Sequence, residues 1–350
     1  RFLRESLENL RTQLESIGLD LLILNAKPEE LFPKLLKSIQ HAKLFFSYEY
    51  AFEETQIEAA LAYELSSAQW EGFWTGTLMD PENLPFTLEN VPNGFSSFRN
   101  KVEKYASIPE PIPTPNKANG FQKHDWGEDP FALSVFAERE NTDQQLQGIE
   151  TMGLAPIYLE ADLADELDTL KTKWEQLFKG GEEAGLARLD YYLWQTDLVA
   201  AYKKTRNGLI GTDYSTKFSP WLANGNLSAR MIASEIHSYE DQRTKNDSTY
   251  WVIFELLWRD FFRFAALKYG RKWFDKGGIQ SNIREYQNNK DYFEAWISGR
   301  TGFSFVDANM RELATTGFMS NRGRQNVASF FTQNLNMDWR WGAEYFESML

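Results

Sequence analysis

YWVIFELLWRDFFRF, residues 250–264, is an almost unbroken apolar run that nevertheless admits Glu255, Arg259, Asp260 and Arg263. It is too long for one strand and carries no Gly or Pro, so its reading is a largely buried helix. On a helix, Trp258 and Arg259 follow Glu255 at i+3 and i+4, and the three share a face. Burying a lone carboxylate there would cost on the order of several kcal/mol unless it is paired or hydrogen-bonded. The residues leave two readings open. One is a plain Glu255–Arg259 pair on a half-exposed helix; the other is a ligand pocket with an acid, an aromatic platform and a fixed cation.

Outward from this run, helical patterns dominate the second half. From FKGGEEAGLARLDYYLW (178–194) onward, helices are predicted over 183–204, 228–243, 250–269, 291–299, 305–316 and 323–334, with no strand among them. The first 80 residues read differently. A helix over 1–17 sets Phe2, Leu3, Leu7, Leu10 and Leu14 on one stripe and stops at Gly18. LDLLIL (19–24) is a buried-strand candidate, PEELFPKLLKSIQ (28–40) a helix, and KLFFSY (43–48) a second strand. Strand, helix and strand at this spacing predict a parallel sheet. Residues 81–180 are looser. PEPIPTPNKANG (109–120) reads as linker and LEADLADELDTLKTKWEQLF (159–178) as an acidic helix. The expected fold class is therefore multidomain α/β plus all-α: a Rossmann-like parallel α/β piece over 1–80, a connector over 81–177 and a helical domain over 178–350.

Composition narrows the chemistry. The 350 residues suffice for two cores. Without cysteine there is neither disulfide nor thiolate metal site. His41, His124 and His237 are the three histidines, and no pair of them has metal-ligand spacing. No GxGxxG follows a strand, no phosphate loop of the Walker type occurs, and the GxSxG elbow of serine hydrolases is missing. No apolar run reaches the length of a membrane helix. The formal net charge is −13, but residues 180–350 carry 21 Lys+Arg against 20 Asp+Glu, so the acid lies in the first half. An acidic chain has little general affinity for nucleic acid, yet a near-neutral half still has room for a local basic groove. Arg1 opens in mid-helix and YFESML closes as abruptly, which leads us to expect natural ends outside this chain.

Two further segments invite a polar ligand. GTDYSTKFSPWLANGNLS (211–228) crowds Tyr214, Ser215, Thr216, Lys217 and Ser219 into a turn before Pro220. Backbone N–H groups, hydroxyls and an ammonium in such a turn can wrap phosphates, or simply cap a helix. TGFMSNRGRQNVASFF (316–331) sets Asn321, Arg322, Arg324, Gln325 and Asn326 at a helix start beside Phe318 and Met319. Arginines and amides there can grip a polar edge bidentately, or be a solvated cap.

FKGGEEAGLARL, DYSTKFSPWLANGNLS, WVIFELLWRDFFRF, GRTGFSFVDANMRELATTGFMSNRGRQNVASFF and DWRWGAEYF occur in this order. Together they resemble the helical flavin adenine dinucleotide (FAD) domain of the photolyase/cryptochrome family over essentially all of 178–350. Residues 1–80 are more weakly similar to that family's α/β antenna domain. NRGRQNVASF is similar to the DASH subgroup.

The resemblance implies FAD as cofactor, with Tyr202, Ser215, Thr216, Lys217, Phe218 and Ser219 at its pyrophosphate. It places Arg259, Asn321 and Arg324 near the flavin, with Phe318 packing beside it. It implies light-driven repair of cyclobutane pyrimidine dimers, with Glu255 hydrogen-bonding the lesion, Trp258 packing against it, and Gln325 where many double-strand enzymes have Met. The partner implied is single-stranded or looped DNA, extending to RNA, met by a monomer. The (6-4) activity needs a histidine beside the lesion, and only His237, outside these motifs, is on offer in the helical half. Trp339 matches the middle of the family's three-tryptophan relay, and the outer position falls on Tyr286, with Trp296 or Trp341 as substitutes. The flavin-proximal tryptophan, and the Asp and Asn that touch the ring system, would follow Leu350. Glu53 or Glu54 matches the acid that fixes a 5,10-methenyltetrahydrofolate antenna, unless this is a solvated acidic loop. A signalling photoreceptor with little repair is the alternative function, and a flavin-free structural relative the third.

Overall fold

The computed structural model describes residues 1–19, 21–24, 26–38, 43–65, 69–115, 172, 175 and 178–350. The acidic helix expected over 159–178 and the end of the 109–120 linker lie almost wholly outside them. The described residues fall into two compact units. One draws on Arg1–Met152, Gly180–Ala200 and Phe218–Gly270, the other on Gly153–Lys179, Ala201–Lys217 and Arg271–Leu350. The chain is mostly helical with a small parallel sheet near its start, in line with the expected α/β-plus-helical class.

In the first unit, α1 (Phe2–Ser16) ends at Gly18, whose φ of 87° suits glycine. The expected strand at 19–24 is not formed: its described residues carry no strand, and the Leu19 N–H instead closes back on the Leu14 carbonyl at 2.9 Å. A short apolar run becomes a strand only when a hydrogen-bonding neighbour lies alongside. α2 (Pro28–Ser38) follows as expected. The sheet is made by β1 (Leu44–Ser47) and β2 (Trp70–Phe73), which run parallel with Leu44 opposite Trp70 and Ser47 opposite Phe73. The crossover between them is α3 (Phe52–Glu64). β2 was not foreseen. Phe46 stacks on Trp70 with centroids 4.6 Å apart, and a side chain at Gly72 would collide with the Tyr48 and Phe46 rings.

Part of the stretch read as connector is also ordered. α4 (Phe95–Tyr105) buries Phe95, Phe98 and Val102. α5 (Glu182–Asp190) starts against α1. The N–H groups of Gly180, Gly181 and Glu182 donate to the side chains of Glu5, Ser6 and Asn9, at 2.7, 3.0 and 2.9 Å. Those side chains satisfy donors that a helix start leaves free. A Cβ at Gly180 would strike the Phe2 carbonyl, so the approach requires glycine. The single helix expected over 183–204 is broken: α5 passes into a wide turn over Tyr191–Gln195, and Asp197 takes a positive φ of 53°.

α6 (Ala229–Gln242) and α7 (Asp247–Tyr269) complete this unit. Asn246 caps α7 by accepting from the Ser248 and Thr249 N–H groups, and its own N–H donates to the Thr249 hydroxyl oxygen. Phe95 of α4 stacks on Trp258 at 3.7 Å, and Phe98 packs on Phe261 and Phe264. Asp260, fully buried, accepts from the N–H groups of Leu78 (3.0 Å) and Met79 (2.8 Å). Arg259 and Arg263 both donate to the Gly76 carbonyl.

The second unit holds α8 (Lys290–Ile297), α9 (Ser304–Thr316), α10 (Asn321–Ser329) and α11 (Trp339–Met349). Its core gathers Trp296, Met310, Leu313, Met319, Val327 and Phe331. α9 ends at Gly317 in the left-handed region, φ 67°. The Ser320 hydroxyl caps α10. No helix among the described residues is long and apolar enough to cross a membrane.

Burial lifts the Asp260 carboxyl from 3.8 to about 7, outweighing the two N–H bonds and the nearby arginines. Between those values the folded state keeps a proton that the unfolded chain releases, so this group's contribution falls as pH rises from about 4 to 7. Asp260→Asn should remove that slope. It should also cost about 1–3 kcal/mol by turning an amide donor on one of two buried N–H groups. Urea unfolding of both proteins from pH 4 to 8 measures both effects.

Candidate functional site

In the first unit, α7 presents the acid and the aromatic platform. The Trp251 indole N–H donates to Glu255 at 3.0 Å, one turn along the helix, and so fixes the carboxylate. Trp258 is partly exposed; Phe95 covers one of its faces and Phe262 stacks at 5.4 Å. The Arg259 guanidinium donates to the carbonyls of Gly76 and Leu222. Burial, and secondarily Arg263, pulls it down to about 10, so it is still a cation at neutral pH. Its two bonds tie α7 to the Gly76 loop and to the short helix Ser219–Ala223. Phe218 is buried and Ser219 exposed. Glu53 and Glu54 stand exposed in the first turn of α3.

In the second unit, Lys217 dominates. Its side chain is buried, and the ammonium lies 3.4 Å from the Tyr214 ring centroid and 4.4 Å from that of Phe318. The ammonium thus stands against two aromatic faces. Such contacts gain strength when desolvated. Phe318 in turn stacks on Phe178 at 5.6 Å. Lys217 adopts a positive φ of 61°, and Phe218 follows in the right-handed region. Alternation of this kind turns successive N–H groups toward one point, a concavity suited to anions. Ser215 and Thr216 lie just before it, half-buried, and Tyr202 is buried.

Glu312 was not singled out from the sequence. It lies on α9 beside the buried Leu313. Burial raises its carboxyl to about 7 against the opposing pull of Lys217. Burial, and then Glu312, pushes the Tyr214 phenol up to about 12, with Ser320 and Arg324 opposing. Lys217, Tyr214, Glu312, Ser320 and Arg324 therefore share one electrostatic neighbourhood. Burial lowers the Arg324 pKa, and its Nε donates to the Met319 carbonyl at 3.0 Å. Asn321 and Gln325 are exposed, and Gln325 accepts from Arg322 at 2.9 Å.

Trp339 and Tyr286 line one cavity of about 290 Å³, together with Lys276 and Arg284. The Trp339 indole N–H donates to the Lys276 carbonyl at 3.3 Å. Trp296 is fully buried and donates to the Val327 carbonyl at 3.1 Å. Trp341 is half-buried against Phe293. Among the described residues, no cluster of His, Asp or Glu could hold a metal ion.

Comparison with known proteins gives these residues a context. The family described as the FAD binding domain of DNA photolyase matches residues 251–350, and that described as DNA photolyase matches 1–116. A cryptochrome DASH of Gloeobacter violaceus is 46% identical over the whole chain, and one of Synechocystis 43%. The chain spans 65% and 66% of those relatives' lengths. The crystal structure of a Synechocystis cryptochrome aligns with a TM-score of 0.80 at 42% identity, covering all of this chain and 67% of that one. A class III photolyase of Agrobacterium tumefaciens shares the fold, with a TM-score of 0.73 at 19% identity.

The acid beside Tyr214 can be tested without any ligand. Carboxyl-carbon NMR should find one glutamate titrating near 7, and Glu312→Gln should abolish it and let the Tyr214 phenol titrate lower. A full set of glutamates with ordinary titrations would contradict the assignment.

Proposed function

Because the chain belongs to the photolyase/cryptochrome family and resembles its DASH members, we propose that it is a blue-light-dependent flavoprotein repairing cyclobutane pyrimidine dimers, mainly in single-stranded DNA. The observation that carries the reading is the Glu255–Trp258 pair on α7, with the acid oriented by Trp251 and the indole braced by Phe95.

The residues present fit FAD. The turn around Lys217 offers oriented N–H groups, and Ser215, Thr216 and Ser219 add hydroxyls, so the donor set suits a pyrophosphate. The Lys217 ammonium contributes positive potential from between its two rings. The family resemblance assigns Tyr202, Phe318, Asn321 and Arg324 of one unit, and Phe218 and Arg259 of the other, to this cofactor. Reduced FAD, when bound and excited by blue light, supplies one electron to a dimer and takes it back.

The chain's own residues hold the lesion. A dimer flipped out of the strand exposes carbonyl and N–H edges to Glu255 and a ring face to Trp258. Gln325 is the further residue that the family resemblance assigns to the lesion. Trp339 and Tyr286 would refill the flavin with electrons from the surface. Glu53 and Glu54 would meet a folate antenna. The domain assignment expected from sequence, with 1–80 as antenna, 81–177 as connector and 178–350 as flavin domain, belongs to this proposal.

Illumination of the reduced, full-length holoprotein with dimer-containing oligonucleotides should remove dimers faster from single strands than from duplexes. Glu255→Gln should lower repair roughly 10- to 100-fold, the scale of a lost transition-state hydrogen bond, with flavin content unchanged. Loss of dimers from neither substrate would replace repair with a signalling role. Trp339→Phe should sharply slow light-driven flavin reduction, followed by absorbance.

A further inference from the structure

The cavity beside Tyr286 and Trp339 has features that the proposed repair reaction does not use. It measures about 290 Å³, just below the usual range of small-molecule clefts. Lys276 and Arg284 line it, and no carboxylate does. The acid nearest in sequence to Trp339 is already engaged: Asp338 is buried and pairs with Arg340 at 2.7 Å. The cavity lining therefore carries two cations and no acid, although Lys276, after Arg340, also helps hold the Asp338 carboxyl below its usual range and Arg284 donates to Gln333 at 3.3 Å.

Its walls are also held in place. The Gln287 N–H donates to the Asn336 carbonyl at 2.8 Å, and the Asn336 amide donates to the Glu285 carbonyl at 3.1 Å. These bonds fix Tyr286 from both sides. The loop opposite turns sharply at Gly278 and Ser281, φ 59° and 55°, and is closed by the Asn282 N–H on the Gly277 carbonyl. The Lys276 ammonium lies 5.5 Å from the Tyr286 ring centroid.

One-electron oxidation makes a phenol a very strong acid, so an oxidised Tyr286 releases its phenolic proton and becomes a neutral phenoxyl radical; the Lys276 ammonium, 5.5 Å from the ring centroid, acts in the same direction. Restoring it takes one electron and one proton together. A donor must then be anionic, to sit on Lys276 and Arg284, and must carry a transferable O–H hydrogen.

We propose that this cavity docks a small anionic reductant of the enediolate class and delivers its hydrogen atom to Tyr286. In the step, an O–H bond of the monoanion breaks and the phenolic O–H bond forms. The enediolate becomes its radical anion, and Tyr286 returns to its resting state. This rests on the proposed electron route through Trp339 and Tyr286.

Ascorbate is the probe. With full-length holoprotein under blue light and without oxygen, the rate of flavin reduction should saturate with ascorbate. The double variant Lys276→Ala, Arg284→Ala should lose saturation and fall about tenfold at low ascorbate. With dithiothreitol, an uncharged reductant, its rate should fall far less than with ascorbate, so the ratio of the two rates drops. Calorimetric titration of ascorbate into the dark protein should show one site that the double variant lacks. Equal, linear ascorbate dependence in both proteins, with no calorimetric site, overturns the docking proposal. If Tyr286→Phe reduces its flavin as fast as the unaltered protein with both reductants, the electron route itself is wrong. In that case a surviving calorimetric site would mark anion binding without the redox role, and hydrogen-atom delivery would be rejected.

Discussion

A single buried carboxylate determines how α7 is turned. Asp260 reaches out of the helix to the N–H groups of Leu78 and Met79, while Arg259 and Arg263, one turn apart, take the Gly76 carbonyl. Three side chains on one face thus bind one short loop through its backbone, which fixes rotation as well as position. Taking a carboxylate out of water costs several kcal/mol. Two N–H bonds offset only part of that, which is why the group's affinity for a proton rises. With this face committed, Trp258 falls against Phe95, and Glu255 lies one turn before Arg259, where Trp251 holds it. The geometry of the proposed lesion contacts follows from a bond pattern that touches no lesion.

Much of this was legible in the sequence, and the parts that were not share a cause. The 250–264 run announced a helix because its length and apolar content leave no other solution. Its cap, Asn246, lies just outside the run and needs only local geometry. β2 was missed because WEGF has one conspicuous feature, a glycine, which weakens a strand in isolation. Only the Phe46 and Tyr48 rings facing Gly72 show why glycine belongs there. The same blindness made LDLLIL look like a strand, when its first residue is already used to close α1. Asp260 passed for one charge among four, because burial is a property of the fold. Glu312 sat unremarked between Arg311 and Leu313 for the same reason.

Lys217 shows what physical reading adds to a motif. The motif invites an ammonium for a phosphate, and the ammonium stands against the faces of Tyr214 and Phe318. Recognition of an anion can then pass to backbone N–H groups, which are oriented by the left-handed Lys217 and need no side-chain reach. The lysine supplies the positive potential that a phosphate requires, without the entropy of a mobile side chain. Its charge also opposes the burial that raises Glu312, and Glu312 in turn raises the Tyr214 phenol.

The proposed electron route obeys a similar economy of charge. Trp296 lies closer to the core than any alternative, stacked on Phe331 at 4.4 Å with its N–H held by Val327. Oxidised there, it would leave a cation in an apolar cluster, with its proton bound to a carbonyl that cannot keep it. Trp341, half-buried and edge-on to Phe293, is less costly but does not line the cavity. Tyr286 escapes the cost by a different chemistry, since losing its proton leaves no charge to bury. A tyrosine at this position trades the speed of simple electron hopping for a radical that is neutral. Lys276 reinforces that preference, since a cation 5.5 Å from the ring centroid disfavours a second positive charge there.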